Sequence, residues 1–91
     1  MTYLFSYDIA NSHRRSKISK VLEQFGIRMQ KSIFQLDVSP MKAEEIKEAL
    51  LTIMAEKEDS LLFFPICKTC FEKTVSIGNK SLLKNESFEI L

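Results

Sequence analysis

The sequence predicts an α+β domain whose elements follow the order strand, helix, strand, strand, helix, strand. Two observations carry this prediction. Apolar residues recur at helical spacing in two segments, and short apolar runs without that spacing flank each segment. The order is that of a ferredoxin-like βαββαβ sandwich, with both helices on one face of the sheet. The 91 residues contain no repeat or linker, so we expect a single domain over residues 1–91.

The first half of the chain supplies one helix and the strands on either side of it. Residues 3–7 form an apolar and aromatic run that is typical of a strand. Ser12 is the predicted N-cap of the helix, and Gly26 fits the C′ position that ends it. The apolar positions of this helix are Ile18, Val21, Leu22 and Phe25. Residues 27–30 and 32–38 then predict two short strands or one bent strand.

The second half begins with the clearest helix signal in the sequence. Ser39 is a suitable N-cap, and Pro40 occupies the first helical position, where its missing N–H costs nothing. The predicted apolar face consists of Ile46, Ala49, Leu50, Ile53 and Met54. Residues 56–59 are interpreted as a solvated charged turn, and residues 61–64 as a buried strand that stops at Pro65.

The composition of two strands predicts a homodimer. If both helices cover one face of the sheet and water the other, each strand should alternate between apolar residues on the helix side and polar residues on the water side. Residues 3–5 and 61–64 are instead apolar on both faces. A chain of this length buries a modest core, and a second copy related by a two-fold axis is the simplest cover for the remaining face.

The distribution of charge points to an anionic partner more clearly than its total does. The net charge is only +1. Residues 1–36 hold six basic residues against two acidic ones, whereas residues 37–72 hold four against eight. This asymmetry favours one basic face for nucleic acid, with ordinary scattered surface charge as the alternative. The sequence has neither an apolar run long enough for a membrane span nor a basic signal-peptide start, so we expect a cytoplasmic protein.

Asp8 is the candidate metal ligand. It follows the first predicted strand, and a carboxylate at a strand end can hold a hard cation such as Mg²⁺. One carboxylate is too few for a site, but a two-fold axis nearby would bring the Asp8 of a second copy. The alternative is that Asp8 caps the following turn.

Arg14 and Arg15 are the candidate phosphate ligands. They lie in the first turn of the predicted helix, where cations oppose the helix dipole. A bound phosphate would offset this cost, and so would an ion pair with an acidic residue. His13 precedes them and is interpreted as an exposed residue of the helix start, with a general base as the alternative.

Cys67 and Cys70 form a single Cys-x-x-Cys pair with three interpretations. Structural zinc needs four ligands, which two chains would have to pool. A redox pair and two ordinary structural thiols are the other possibilities.

A longer pattern resembles the CRISPR-associated protein two family. Its N-terminal part comprises Tyr7-Asp8-Ile9, Arg14-Arg15, Lys17-Ile18, Leu22, Gly26, Arg28-Met29-Gln30 and Ser32-Ile33-Phe34. Its C-terminal part comprises Asp59-Ser60-Leu61, Cys67 to Cys70 and Ile77-Gly78. The pattern thus extends over nearly the whole chain.

The resemblance implies a homodimer with an additional C-terminal strand. The tail from about residue 79 to residue 91 would pair with the partner protomer, and Phe88 and Ile90 suit that role. It also implies that Asp8 is the catalytic, magnesium-binding residue, paired with its copy across the dyad. The implied function is that of a CRISPR adaptation subunit, which supports integration of spacer DNA with the CRISPR integrase. Magnesium-dependent endonuclease activity on single-stranded RNA or double-stranded DNA is ascribed to the family.

The residues expected to contact nucleic acid are Arg14, Arg15, Lys17, Arg28 and Lys31. Many relatives carry further acids where this chain has residues 10–12 and Gln35. Fewer carboxylates near Asp8 weaken the case for a nuclease and leave a DNA-binding scaffold intact. A non-catalytic ferredoxin-like module that binds a small ligand or regulates a partner is the alternative function.

Overall fold

A four-stranded antiparallel sheet carries two long helices on one side. The computed structural model describes residues 1–75 and residue 77. Its elements are β1 (Thr2–Asp8), α1 (Ser12–Glu23), β2 (Gly26–Gln30), β3 (Ile33–Asp37), α2 (Pro40–Ile53), β4 (Ser60–Ile66) and α3 (Lys68–Glu72). The strand order is β2-β3-β1-β4, which confirms the ferredoxin-like prediction. The predicted tail strand, with Phe88 and Ile90, lies outside the described residues.

The core lies between the sheet and the two long helices. Alternate residues of β1 and β3 face the helices, and Phe5 stacks on Phe63 with ring centroids 4.9 Å apart. The largest fully buried side chains are Phe5, Ile18, Leu22, Phe34, Leu36 and Leu50. This set comes from both helices and two strands, so the core depends on the tertiary fold rather than on any one element.

Two predicted boundaries of α1 are wrong. The N-cap is Asn11, whose side-chain oxygen accepts a hydrogen bond from the N–H of Arg14 at 2.9 Å. Asn and Ser are equally good caps, so local chemistry does not choose between adjacent candidates. Gly26 begins β2 instead of ending the helix. A Cβ atom there would lie 2.3 Å from the carbonyl oxygen of Gln35, so the close approach of β3 requires glycine.

The helix α2 begins as predicted, with Ser39 as N-cap and Pro40 in the first turn. The hydroxyl of Ser39 accepts a hydrogen bond from the N–H of Lys42 at 3.1 Å. Ala49, which the sequence predicts on the apolar face, is exposed. Ala43, which is not in the predicted face, is buried in the core. None of the helices in the described part of the chain is long and apolar enough to cross a membrane.

The strand β4 runs through Pro65, where the sequence predicts its end. Pro65 lies opposite Tyr3 of β1. Because β4 is an outer strand of the sheet that the described residues form, a residue without an N–H donor is tolerated there. The short helix α3 follows β4 and is absent from the sequence prediction.

The side of the sheet away from the helices, which we name the open face, is largely apolar. One row across the four strands contains Ile27, Gln35, Leu4 and Phe64, and a second contains Ile33, Ser6 and Leu62. Ile27, Leu62 and Phe64 are exposed. The prediction that two strands are apolar on both faces is therefore confirmed.

Candidate nucleic-acid interface

Asp8 lies at the end of β1 on the open face. The alternation along the strand places it on the same side as Leu4 and Ser6, and its side chain is exposed. Ser60 lies directly opposite in β4, so a carboxylate and a hydroxyl stand next to each other there. Both are oxygen donors of the kind that Mg²⁺ prefers. Within residues 1–75 and 77, however, no group of three acidic, histidine or cysteine side chains is placed to hold a metal ion.

Asp59 is the buried acid of this region, and the sequence prediction of a solvated turn is wrong for it. Its carboxylate accepts hydrogen bonds from the N–H groups of Ala10 at 3.0 Å and Ala55 at 2.8 Å. Arg14 donates to it from Nε at 2.8 Å and from Nη2 at 3.1 Å. Asp59 thereby joins the start of α1, the end of α2 and the start of β4.

The charges of this cluster stabilise each other. The hydrogen bond from Arg14, opposed by burial and supported by the two backbone N–H groups, holds the pKa of Asp59 far below its usual range. The same bond raises the pKa of Arg14, which also contacts Glu58 at 3.2 Å. Of the two partners that the sequence left open for Arg14, the structure shows the acid.

Arg15 has a different environment from Arg14, although the two are adjacent. Its guanidinium donates to the carbonyl oxygen of Ile9, from Nη2 at 3.1 Å. The residue is exposed, and Lys17 and His13 are exposed on the same helix. Among the described residues no carboxylate pairs with Arg15, so its charge at the beginning of α1 is available to a ligand.

A cavity of about 250 Å³, which we name the basic groove, separates α1 from the tip of the β2–β3 hairpin. Arg28 and Lys31 come from the hairpin, and Arg15 comes from the helix. The hydroxyl groups in its wall belong to Tyr7, Ser12, Ser16 and Ser19. The groove thus presents three cations, of which Arg28 is paired with Glu23, and four hydroxyls, which together are the chemistry that binds phosphate oxygens.

Arg28 is held in place from three sides. It donates to the carbonyl oxygen of Lys31 at 2.6 Å and to the Ser19 hydroxyl and the Glu23 carboxylate, both at 3.0 Å. Its guanidinium also lies over the ring of Phe34, 4.8 Å from the centroid. These contacts fix one cation of the basic groove before any ligand arrives.

Tyr7 closes the floor of the basic groove. Its hydroxyl donates to the carbonyl oxygen of Lys31 at 3.2 Å, and its N–H donates to the carbonyl oxygen of Ser32 at 3.0 Å. Burial raises the pKa of the Tyr7 hydroxyl, although Arg28 opposes the shift, so the tyrosine stays neutral. Tyr7 also precedes Asp8, which places the basic groove and Asp8 at the same end of the sheet, on opposite faces.

The comparisons with known proteins agree on one family. The family model described as CRISPR associated protein Cas2 matches residues 1–74. A "CRISPR-associated endoribonuclease Cas2 3" from Synechocystis sp. is 39% identical over 64 residues, covering 70% of each chain. A "CRISPR-associated endoribonuclease Cas2 1" from Chloroflexus aurantiacus is 35% identical over 80 residues, covering 87% of this chain and 86% of the relative.

Solved structures extend the likeness to the fold. The crystal structure of Streptococcus pyogenes Cas2 at pH 6.5 aligns with a TM-score of 0.74 and 30% identity, covering 86% of this chain and all of that one. A chain of a partial Cas6-RT-Cas1–Cas2 complex aligns with a TM-score of 0.73, covering 84% of this chain and 89% of that one. At 24% identity, that second likeness establishes the fold alone.

Proposed function

Because the chain belongs to the Cas2 family of CRISPR-associated proteins, we propose that it is the homodimeric, nucleic-acid-binding subunit of a CRISPR adaptation complex. In this role it supports the integration of spacer DNA together with the CRISPR integrase. The observation that carries the proposal is the basic groove, in which three cations meet at one end of the sheet.

The open face supports the homodimer. A two-fold interface buries Ile27, Leu62 and Phe64 against the same surface of the partner, and removal of this apolar area from water drives association. The side-chain oxygen of Gln35 in the middle of this face is buried and has no hydrogen-bond partner among the described residues. Buried polar atoms normally have a partner, so a donor or a water at the dimer interface would satisfy it.

Backbone phosphates of duplex DNA are the ligand that the basic groove fits best. Arg15 and Lys31 are exposed at its two walls, and Arg28 is already fixed between them. Lys17 continues the positive charge along α1. Arg14 is engaged by two carboxylates, so we assign it to holding the start of α1 in place rather than to contacting phosphate.

A magnesium-dependent endonuclease is the second candidate function, because Asp8 is exposed at a strand end beside Ser60. The names of the curated relatives include endoribonuclease. The Asp8 residues of two protomers would hold the ion, which when bound supplies an activated water and stabilises the leaving oxygen. The basic groove, at the same end of the sheet but on its other face, would hold neighbouring phosphates of the same nucleic acid.

The alternative of a small-ligand or regulatory module receives less support. Pockets for small organic ligands are lined mostly by apolar side chains. The basic groove is lined by charged and hydroxyl-bearing side chains. Its chemistry suits a phosphate backbone better than a metabolite of mixed polarity.

The salt dependence of DNA binding tests the main proposal. Fluorescence anisotropy at several salt concentrations gives the slope of log affinity against log salt for a labelled duplex. Arg15→Ala with Lys31→Ala removes up to four phosphate contacts per dimer, so the slope should fall by as much as ~3–4 units, at roughly 0.9 per contact. The loss should be the same for unrelated DNA sequences, because phosphate contacts do not read bases.

A matched control uses two lysines at the opposite end of the sheet. Lys68→Ala with Lys73→Ala removes the same number of charges from α3 and its C-cap, and the slope should stay near that of the wild type. Equal effects of the two double variants would argue against the basic groove as the DNA site. Failure of the dimer to co-elute with the CRISPR integrase on size-exclusion chromatography would argue against the adaptation role.

Asp8→Asn separates the scaffold from the nuclease. DNA affinity should be unchanged or slightly higher, because the variant loses a negative charge near the phosphates. If the second candidate function is correct, Mg²⁺-dependent cleavage of RNA or duplex DNA should disappear in Asp8→Asn and in wild type treated with chelator. Equal cleavage by both proteins would assign the activity to another site or to a contaminant.

A further inference from the structure

The two cysteines of the chain lie together on the surface, at the end of the sheet opposite Asp8. Cys67 is the N-cap of α3, and Cys70 is the third residue of that helix. Both are free thiols and both are exposed. Phe71, which is 4% exposed, anchors α3 to the domain, so the pair sits on a fixed support.

The backbone of α3 holds the thiol of Cys67 against the turn that carries Cys70. The N–H of Cys70 donates to Sγ of Cys67 at 3.3 Å, and the N–H of Phe71 donates to the carbonyl oxygen of Cys67 at 2.9 Å. The sulfur of the first cysteine therefore lies over the helix turn that carries the second. A disulfide requires such proximity of the two residues.

The environments of the two thiols shift their pKa values in opposite directions. Hydrogen bonds from the backbone and from the side chain of Cys70 lower the pKa of Cys67. The interaction with Cys67 raises the pKa of Cys70. One sulfur is thus more readily ionised than the other, which is the condition for an attacking and a resolving thiol.

We propose that Cys67 and Cys70 are a reversible thiol–disulfide site whose co-substrate is a low-molecular-weight disulfide. The Cys67 thiolate attacks one sulfur of the co-substrate, whose S–S bond breaks and releases the first thiolate. Cys70 then loses its proton to solvent and attacks Sγ of Cys67, which releases the second thiolate. The two cysteines are oxidised by two electrons in total, and the disulfide is reduced to two thiols.

The geometry favours this site over a zinc site within one chain. Structural zinc requires four ligands, and two thiols supply half of them. In the described part of the chain, no third acidic, histidine or cysteine ligand joins the pair. A metal held between two chains would appear in the test as bound zinc.

The experiment incubates the full-length protein with glutathione disulfide, blocks the remaining thiols with maleimide and measures the intact mass. We expect a monomer that has lost two hydrogen atoms, takes up no maleimide and is restored by dithiothreitol. The folded protein should form this species faster than the protein in urea, because α3 holds the thiols together. No such species, or equal rates with and without urea, would overturn the proposal.

Single-cysteine variants assign the two roles. At neutral pH the thiol of Cys67 in Cys70→Ser should react with maleimide several-fold faster than the thiol of Cys70 in Cys67→Ser. Equal rates would overturn the assignment of the attacking sulfur. Stoichiometric zinc in the purified protein, or a cross-link between two chains in place of the internal one, would overturn the proposal itself.

Discussion

The two faces of the sheet differ in how completely this chain covers them. On the helix side, Phe5 and Phe34 are 0% exposed, whereas on the open face Phe64 is 40% exposed and Leu62 is 61% exposed. Both faces are apolar, so composition does not cause the difference. The helices reach only one of them. An apolar face that residues 1–75 leave uncovered is typical of a surface that binds another protein chain.

Substitutions on the helix side of the sheet should lower the stability of the fold most, because its side chains are the most buried. Phe5→Ala removes a ring that stacks on Phe63 and should lower the free energy of unfolding by about 3–5 kcal/mol, measured by urea denaturation. Phe64→Ala deletes the same ring on the open face; measured at protein concentrations where the dimer dissociates, its loss should be clearly smaller, because within one chain Phe64 is 40% exposed. A loss from Phe64→Ala that equals or exceeds that from Phe5→Ala would show that the two faces do not differ in burial within one chain.

A charge introduced on the open face should weaken the dimer. Leu62→Lys replaces apolar area with two buried charges per dimer and should raise the dissociation constant of the dimer on the order of 100-fold. Sedimentation at low micromolar concentration measures the change. Leu51→Lys is the matched control, because Leu51 is a 48% exposed leucine on α2, away from the open face. Unchanged dimerisation of Leu62→Lys would mean that the open face is not the interface.

Two aspartates at the rim of the sheet also differ in burial, because Asp59 is buried and Asp8 is exposed. Asp59→Asn should lower the melting temperature at pH 7 by on the order of 10 °C, because a buried hydrogen-bonded charge is lost. Calorimetry from pH 7 to pH 3 gives a second readout, with Asp37→Asn at an exposed carboxylate as the control.

The sign of the pH effect follows from the lowered pKa of Asp59. Its stabilising contribution is fully present above the unfolded carboxyl pKa of ~4 and is lost as the pH falls below that value. The wild type should therefore approach Asp59→Asn in melting temperature as the solution becomes more acidic. A difference that stays constant down to pH 3 would contradict the assignment.

The sequence was sufficient where the physics is local. Ser39 and Pro40 predict the start of α2 because capping and the first-turn preference for proline involve only neighbouring residues. The order of elements follows from apolar spacing in the same way. The sequence predicts Gly26 as the end of α1, whereas its requirement for glycine comes from the carbonyl oxygen of Gln35 in β3, nine residues further along the chain.

The candidate site was less predictable because it depends on contacts between distant segments. Arg14 and Arg15 are adjacent residues of the same type, so the sequence does not distinguish them. Arg14 nevertheless contacts a carboxylate 45 residues away, whereas Arg15 contacts a backbone carbonyl. Asp59 lies in a charged stretch that looks solvated until the fold brings the start of α1 over it. Asp8 lies at the end of β1, as the sequence predicts, and Lys31 lies between β2 and β3; both are exposed. Their roles in metal and nucleic-acid binding stay predictions.

The two outer strands of the sheet, β2 and β4, affect whether the protein can form open-ended polymers. A bare strand edge invites further strands and open-ended polymerisation. Pro65 removes one N–H donor from β4, and on the other outer strand the pairing of β2 slips between Arg28 and Gln30. Each irregularity makes its edge a poor template. Open-ended growth by strand addition is thus discouraged along the described edges, whereas association through the open face ends once a single second copy has bound, and the predicted tail strand would pair within that same dimer.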